Sequence, residues 1–490
     1  MNTITANDIT KIRIFTAFTS LILSLIAVYF DDLINRDGVL YVDMARGFLQ
    51  GGLEETAKLY NWPFFSIIIA YLHKLTTLTI ETCAYLLCSL LFILLNDTLV
   101  RITHKILPNK QQLLIAALFI LCFQPINEYR DFIIRDIGYW AFSALTLYYF
   151  MLFIEAPTIK TATIWQLVAV LSVLFRVEGI VILLALPLFL FAIQKPLDGL
   201  KSSLLLNYLF ILSLLPIILI ALNSFSPHAA FNKIDSIKDY TSINNFLIIL
   251  NNNTAILKTQ ILNEYSERYA GLILVSGLLF MLLYKLLKAF SLGYIVLYLT
   301  SWWQQKPIKP NPNYSLLYYF FTLNILILIV FVLHKYFITT RHIVLTLISF
   351  LLIMLPIVCS FLEKAWSTKN RSILTFAGII LSFCLIDSIV QSNSKSYIKN
   401  TAIWAADNLP QGSSILTDDN LIQYYAKTQK RNTNITLDRL INYHNYDYVI
   451  VIKKGMNLEH QALFNEKKLP LIYSKKNKKG DRVIIYSTKQ

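Results

Sequence analysis

The stretch Phe30-Asp31-Asp32-Leu33-Ile34-Asn35-Arg36-Asp37-Gly38-Val39-Leu40-Tyr41-Val42-Asp43-Met44-Ala45-Arg46-Gly47 follows directly on an apolar run from Ile14 to Phe30. It sets four aspartates and two arginines where a membrane helix would leave the bilayer. A carboxylate at such a boundary can act as a general base on a hydroxyl or an amine. Asp37 is the candidate. The competing reading is that Asp37 caps the amphipathic helix from Val39 to Leu49, since aspartate favours that position. Its capping box is incomplete, because Leu40 holds the place of the expected glutamate or glutamine. Capping and catalysis are compatible. Asp31, Asp32 and Asp43 are rivals that read better as solvated boundary charges.

Three further groups carry charge at the ends of apolar runs. Arg135 and Asp136 follow Arg130 and Asp131. They read either as local ion pairs of little worth or as a phosphate-binding arginine with an acid that orients it or helps hold a cation. Arg176 and Glu178 interrupt the apolar run from Ala162 to Gln194. As one helix that run would reach about 50 Å, too long for a single crossing, and mid-membrane charges are costly. A helical hairpin with Arg176-Val177-Glu178-Gly179 at its tip removes both problems. There the two charges either snorkel to the interface or, for Arg176, line a ligand site. Arg341 and His342, with His334 and Lys335, open another apolar run. They serve as positive anchors or as a phosphate site, to which arginine brings bidentate contacts. His73, His104 and His228 read as structural or surface residues. The sequence holds no HExxH, GxSxG, P-loop or GxGxxG context.

The elements that must position these residues are membrane helices. Of the 490 residues 56% are hydrophobic and only 15% charged, against about a quarter charged in a soluble domain. The net charge of +15 then needs no nucleic acid as a partner, because cytoplasmic loops rich in Lys and Arg produce it. Eleven spans are expected, near 14–30, 80–99, 112–126, 137–154, 162–175, 179–194, 203–222, 270–288, 316–333, 343–361 and 372–391. Val28-Tyr29-Phe30-Asp31 is no signal-peptidase site, so the first run reads as an uncleaved span with a cytoplasmic N-terminus. Lys and Arg outside these spans gather on one side, and the odd span count puts the C-terminus on the other. The stretch 289–300 leaves a twelfth span open, which would invert the tail. The five cysteines all lie in apolar runs and read as packing residues.

The expected organisation is a transmembrane module over 1–391 and a soluble extracytoplasmic α/β domain over 392–490. The module carries a first outer loop with interfacial helices at 31–79 and a long, Asn-rich outer loop at 223–268. In the tail a helix is expected near 394–409, with strands at 414–417, 448–452, 469–473 and 482–486.

The Asp37-Gly38-Val39-Leu40-Tyr41 run, Ala45-Arg46, Gly51-Gly52 and Trp62-Pro63-Phe64 resemble the first outer loop of GT-C glycosyltransferases. The closest branch holds protein O-mannosyltransferases and the lipid A aminoarabinose transferases. The resemblance implies a helical membrane bundle and sugar transfer from a polyprenyl-phosphate donor to an envelope lipid, glycan or protein in the bacterial inner membrane. It implies Asp37 as the catalytic acid–base residue. It also implies a place at the donor site for Arg176; Tyr41, Arg135, Asp136, Glu178, Arg341 and His342 are the further candidate substrate contacts. Gly38 departs from the family pattern, in which an Asp-Glu pair stands at this point. No cofactor is assigned; a divalent cation is compatible, but one acid per loop makes a weak site. Two other readings compete. An envelope polysaccharide polymerase or ligase would rely on Arg and His in its long outer loop, where only Arg268 and His228 occur. A lipid-glycan flippase or transporter predicts inverted repeats and charges within spans, whereas here charges stand at span ends.

Overall fold

The structure is a computed structural model. It describes residues 4–30, 33–107, 109–209, 243–304, 312–389, 396–410, 412–417, 419–426, 446–453, 469–477 and 480–488. Asp31, Asp32, His228, residues 210–222 of the seventh expected span, residues 223–242 of the long outer loop and the Pro-rich stretch 306–310 lie outside the described residues.

Among the described residues, seven helices are long and apolar enough to cross a membrane. They are Ala6–Phe30, Ile80–His104, Asp136–Glu155, Glu267–Ala289, Pro312–Lys335, Thr340–Ser367 and Arg371–Ser388. Each matches an expected span, the last of them, near 372–391, through Ser388. Three more expected spans coincide with the shorter apolar helices Lys110–Leu121, Ile159–Phe175 and Gly179–Ile193. The first of these stops at Leu121 rather than 126, because Pro125 opens a separate one-turn helix, Gln124–Asn127. The hairpin expected at 176–179 is present: Arg176 is extended backbone after the helix Ile159–Phe175, and Gly179 starts the next helix.

The chain forms two compact units. One comprises residues 1–23, 88–130 and 135–389; the other comprises 24–87, 131–134 and 390–490. In the first unit Thr340–Ser367 is the central helix. Its most apolar window is 89% buried, against 17% for both Glu267–Ala289 and Arg371–Ser388. Those two outer helices expose Leu272, Phe280, Leu283, Ile379, Phe383 and Ile386. Apolar surface of that extent is what lipid, not water, covers. The protein is a multi-pass membrane protein.

In the second unit the expected interfacial helix is longer than its amphipathic stretch and spans Arg36–Leu59. It is broken at Gly51 and at Gly52, whose φ of 69° only glycine adopts without strain. Thr56 donates back to the Gly52 carbonyl at 2.9 Å and touches that of Met44 at 3.4 Å, so the second arm folds onto the first. Phe64–Thr76 follows as a short apolar helix. The tail domain has the expected strands β1 (Ile415–Thr417), β2 (Tyr448–Lys453), β3 (Leu471–Lys476) and β4 (Arg482–Ser487), in the order β1-β2-β4-β3. β1 and β2 are parallel; the other pairs are antiparallel. Leu416, Val449, Val451, Ile484 and Tyr486 form one buried cluster. Ile450, Val483 and Ile485 are buried on the opposite face. Beside them Trp404 of the helix Ser396–Asn408 stacks on Tyr473, with ring centroids 4.3 Å apart.

Candidate functional site

The membrane unit builds a charged site from three chain segments. The helices Asp136–Glu155 and Ile159–Phe175 approach closely at Gly138, where a Cβ would fall 2.2 Å from the Phe175 ring. Phe175 stacks on Phe142, and the Ser143 and Ser172 hydroxyls bond at 2.7 Å. This seating brings Arg176, the residue after the helix, over the first residue of the other. Its Nη1 donates to Asp136, and its Nε and Nη2 form a fork on Glu178. The Arg176 side chain is only 9% exposed, Asp136 3% and Glu178 20%. Neither charge snorkels, contrary to the interfacial reading. Nor does Asp136 belong to a purely local ion-pair cluster, since its partner is 40 residues away. Arg130 is buried too, donating to Asn127 Oδ1 at 2.7 Å and to the Ser20 carbonyl at 2.9 Å.

Burial alone would pull Arg176 down, but Asp136 and Glu178 hold it well above the ordinary arginine value. Burial pushes Glu178 up, and Arg176 more than offsets this, leaving the carboxyl below its ordinary value. The three groups are therefore ionised together, as a buried pair or triad must be to repay its desolvation.

A small pocket, part of it open to solvent, lies beside this triad. Arg176, Glu178, Arg341 and His342 line it, with Tyr139, Trp140 and Phe331 among its aromatic and apolar walls. Arg341 and His342 stand in the first turn of Thr340–Ser367. His342 completes a capping box with Thr339, whose backbone N–H donates to Nδ1 at 3.3 Å and whose Oγ1 lies 3.0 Å from it. Accepting at Nδ1 assigns the proton to Nε2 in a neutral ring, so His342 is not a positive anchor. Its ring packs on Phe331 at 4.6 Å. Arg135, the cap residue of the Asp136 helix, adds a further guanidinium near Asp136 and Glu178. Such a site favours an anion, which Arg341 and the Nε2–H of His342 can meet with charge-assisted and neutral hydrogen bonds.

Asp37 and Tyr41 lie in the other unit. Asp37 is half-buried and is the second residue of its helix. It is not the cap: Asn35 is, and even its side chain makes no capping bond. Instead Asn35 accepts the Ile133 N–H at 2.8 Å and donates to the Ile133 carbonyl at 3.3 Å. Gly38 lies against this pairing; a Cβ there would be 2.7 Å from Asn35 Oδ1 and 3.1 Å from the Ile133 Cβ. The space explains why no glutamate follows Asp37. Asp43 is paired with Arg46 at 2.9 Å rather than merely solvated. Tyr41 is buried, its ring edge-on to Phe65 at 5.1 Å.

Sequence reasoning missed the pocket's aromatic and apolar walls, which resemble any membrane-helix residues. Asn324 also lines the pocket, and it left a legible signal as an amide in the middle of the apolar helix Pro312–Lys335. It is 3% exposed and bonds the Phe320 carbonyl at 2.8 Å. Among the described residues no group of three or more His, Cys, Asp or Glu is placed to hold a metal ion.

No family model matches the chain, and no curated protein matches it in sequence. Solved structures do. The crystal structure of ArnT from Cupriavidus metallidurans bound to undecaprenyl phosphate superposes with a TM-score of 0.50 at 11% identity, covering 97% of both chains. The apo state of the same protein gives 0.43 at 11% identity, again over 97% of both. The Archaeoglobus fulgidus oligosaccharyltransferase complexed with Zn and sulfate gives 0.47 at 15% identity, over 86% of this chain and 58% of its own. At these identities the likeness concerns architecture, and the first superposition carries it over nearly the whole length of both chains. Together with the helical bundle and the small tail sheet, it shows that this chain shares the fold of that ArnT structure.

Proposed function

We propose that the protein is an inverting membrane glycosyltransferase, hexosyl- or pentosyl-transferring. It would move a sugar from a polyprenyl-phosphate donor to an envelope lipid, glycan or protein. The reaction runs on the extracytoplasmic face of a bacterial inner membrane, with the N-terminus in the cytoplasm and the tail domain outside. The observation that carries this reading is the pocket lined by Arg341, His342 and Arg176 at the ends of membrane helices, within a fold whose ArnT neighbour was crystallised with undecaprenyl phosphate.

In the proposed reaction Asp37 takes the proton of the acceptor hydroxyl or amine. The freed electron pair attacks the anomeric carbon on the face opposite the phosphate. The new glycosidic bond forms as the carbon–oxygen bond to the phosphate breaks, which inverts the configuration. Arg341 and His342 Nε2–H meet the charge left on the lipid phosphate. Asp136 and Glu178 act through Arg176, holding its guanidinium at the pocket wall. A lipid anchor partitions into the bilayer, so no nucleotide site is needed.

Arg341→Ala tests the pocket. Loss of one charge-assisted contact is expected to lower transfer at subsaturating donor by about 10- to 100-fold, chiefly through donor KM, with normal expression. The measurement is transfer of radiolabelled sugar from polyprenyl phosphate in isolated membranes. Unchanged donor dependence would remove Arg341 from the phosphate site.

A further inference from the structure

The tail domain contributes one short helix, Asn420–Tyr425, several of whose side-chain contacts within its unit reach the segment from Ile34 to Arg46. Asp419 caps it, accepting the Leu421 N–H at 2.8 Å. The other oxygen of the same carboxylate, itself 1% exposed, receives the Arg36 guanidinium at 2.5 Å. A carboxylate so buried requires a partner, and Arg36 reaches it from a largely exposed position. The Tyr425 hydroxyl accepts the Ile34 N–H at 3.0 Å. Tyr424 lies under the Arg46 guanidinium at 5.3 Å, and its hydroxyl donates to Glu81 at 2.7 Å. Two of these ties fall within three residues of Asp37, and a third lies on the same arm of its helix.

We propose that the Asp419–Tyr425 turn is a tether that fixes the start of the helix carrying Asp37, with Arg36, Asp419 and Tyr425 as positioning residues for that carboxylate. The catalytic part rests on the proposed glycosyl transfer; the tether itself does not. Helix starts leave backbone donors unsatisfied and fray readily. At this start the Asn35 side chain makes no capping bond, so the restraint comes from contacts with residues distant in sequence. A base displaced by even an ångström loses much of its advantage. The tail domain therefore serves the chemistry as well as any acceptor it contacts.

The test uses the full chain in lipid nanodiscs. Arg36→Ala removes an exposed side chain and should leave the bundle folded; Tyr425→Phe removes one hydroxyl. Hydrogen exchange of peptides covering residues 34–48 is expected to quicken by about fivefold in each, the opening-constant equivalent of one hydrogen bond. In the transfer assay kcat should fall by about tenfold or more with donor KM unchanged, and Arg36→Lys should restore part of both readouts. Lys58→Ala, which breaks a surface pair with Glu55 beyond the Gly51-Gly52 break, should alter neither. Unchanged exchange and unchanged kcat in both Arg36→Ala and Tyr425→Phe would overturn the proposal. Faster exchange in the variants, with no sugar transfer by the wild type, would keep the tether and remove the functional reading instead.

Discussion

Asp37→Asn is expected to lower kcat for sugar transfer by roughly 10²–10⁴-fold, the usual worth of a general base. Donor KM should stay near the wild-type value and the fold should be intact. The substitution keeps the size of the side chain but removes the basic oxygen that takes the proton. Asp37 is half-buried on the second position of its helix, so an isosteric amide fits without repacking. Asp43→Asn supplies the comparison. That carboxylate already serves Arg46, and its loss should cost far less activity. The check is initial-rate transfer of radiolabelled sugar in membranes with matched protein levels. Equal rates for wild type and Asp37→Asn would end the proposed mechanism.

The second large effect falls on stability. Arg176→Ala leaves Asp136 and Glu178 buried without the guanidinium that both bind. Breaking a buried pair from one side costs about 3–5 kcal/mol, well beyond a surface ion pair's usual worth of about 1 kcal/mol or less. Thermal unfolding in detergent should therefore shift down markedly. Arg176→Lys should recover only part of the loss, because an ammonium cannot form the fork on Glu178. Neutralising the whole cluster, Arg176→Met with Asp136→Asn and Glu178→Gln, should recover most of the stability, since the desolvation penalty goes with the charges. It should not recover transfer. If stability and activity return together, the triad is only structural and Arg176 has no part in the pocket's function.

Much of the architecture was legible because membrane physics is strict. An apolar run with two charges at its middle had to fold into a hairpin, and the break falls at Arg176–Glu178 as expected. The four tail strands lie within a few residues of their alternating or β-branched runs. What escaped depended on partners far away in sequence. The helix start at Asn35, rather than at Asp37, follows from the pairing of Asn35 with Ile133, 98 residues on. Arg36 finds Asp419 at a separation of 383 residues. Snorkelling was a natural reading for Arg176 because residues beside a membrane helix look the same whether protein or lipid surrounds them. The length of the Arg36–Leu59 helix was hidden for a different reason: Gly51-Gly52 reads as an end when it is a fold-back.

The crowding around Gly38 carries a chemical consequence of its own. Any side chain there would push on the amide oxygen that receives the Ile133 N–H, so the position after Asp37 carries no second carboxylate. Mg²⁺ and Ca²⁺ gather several hard oxygens, and a single carboxylate recruits them poorly. Departure of the lipid phosphate would then be eased by guanidinium and imidazole nitrogens. Sugar transfer is accordingly expected to persist at its full rate in membranes washed with EDTA. A rate that collapses on chelation and returns with added Mg²⁺ would point to oxygen ligands beyond the Asp37 segment.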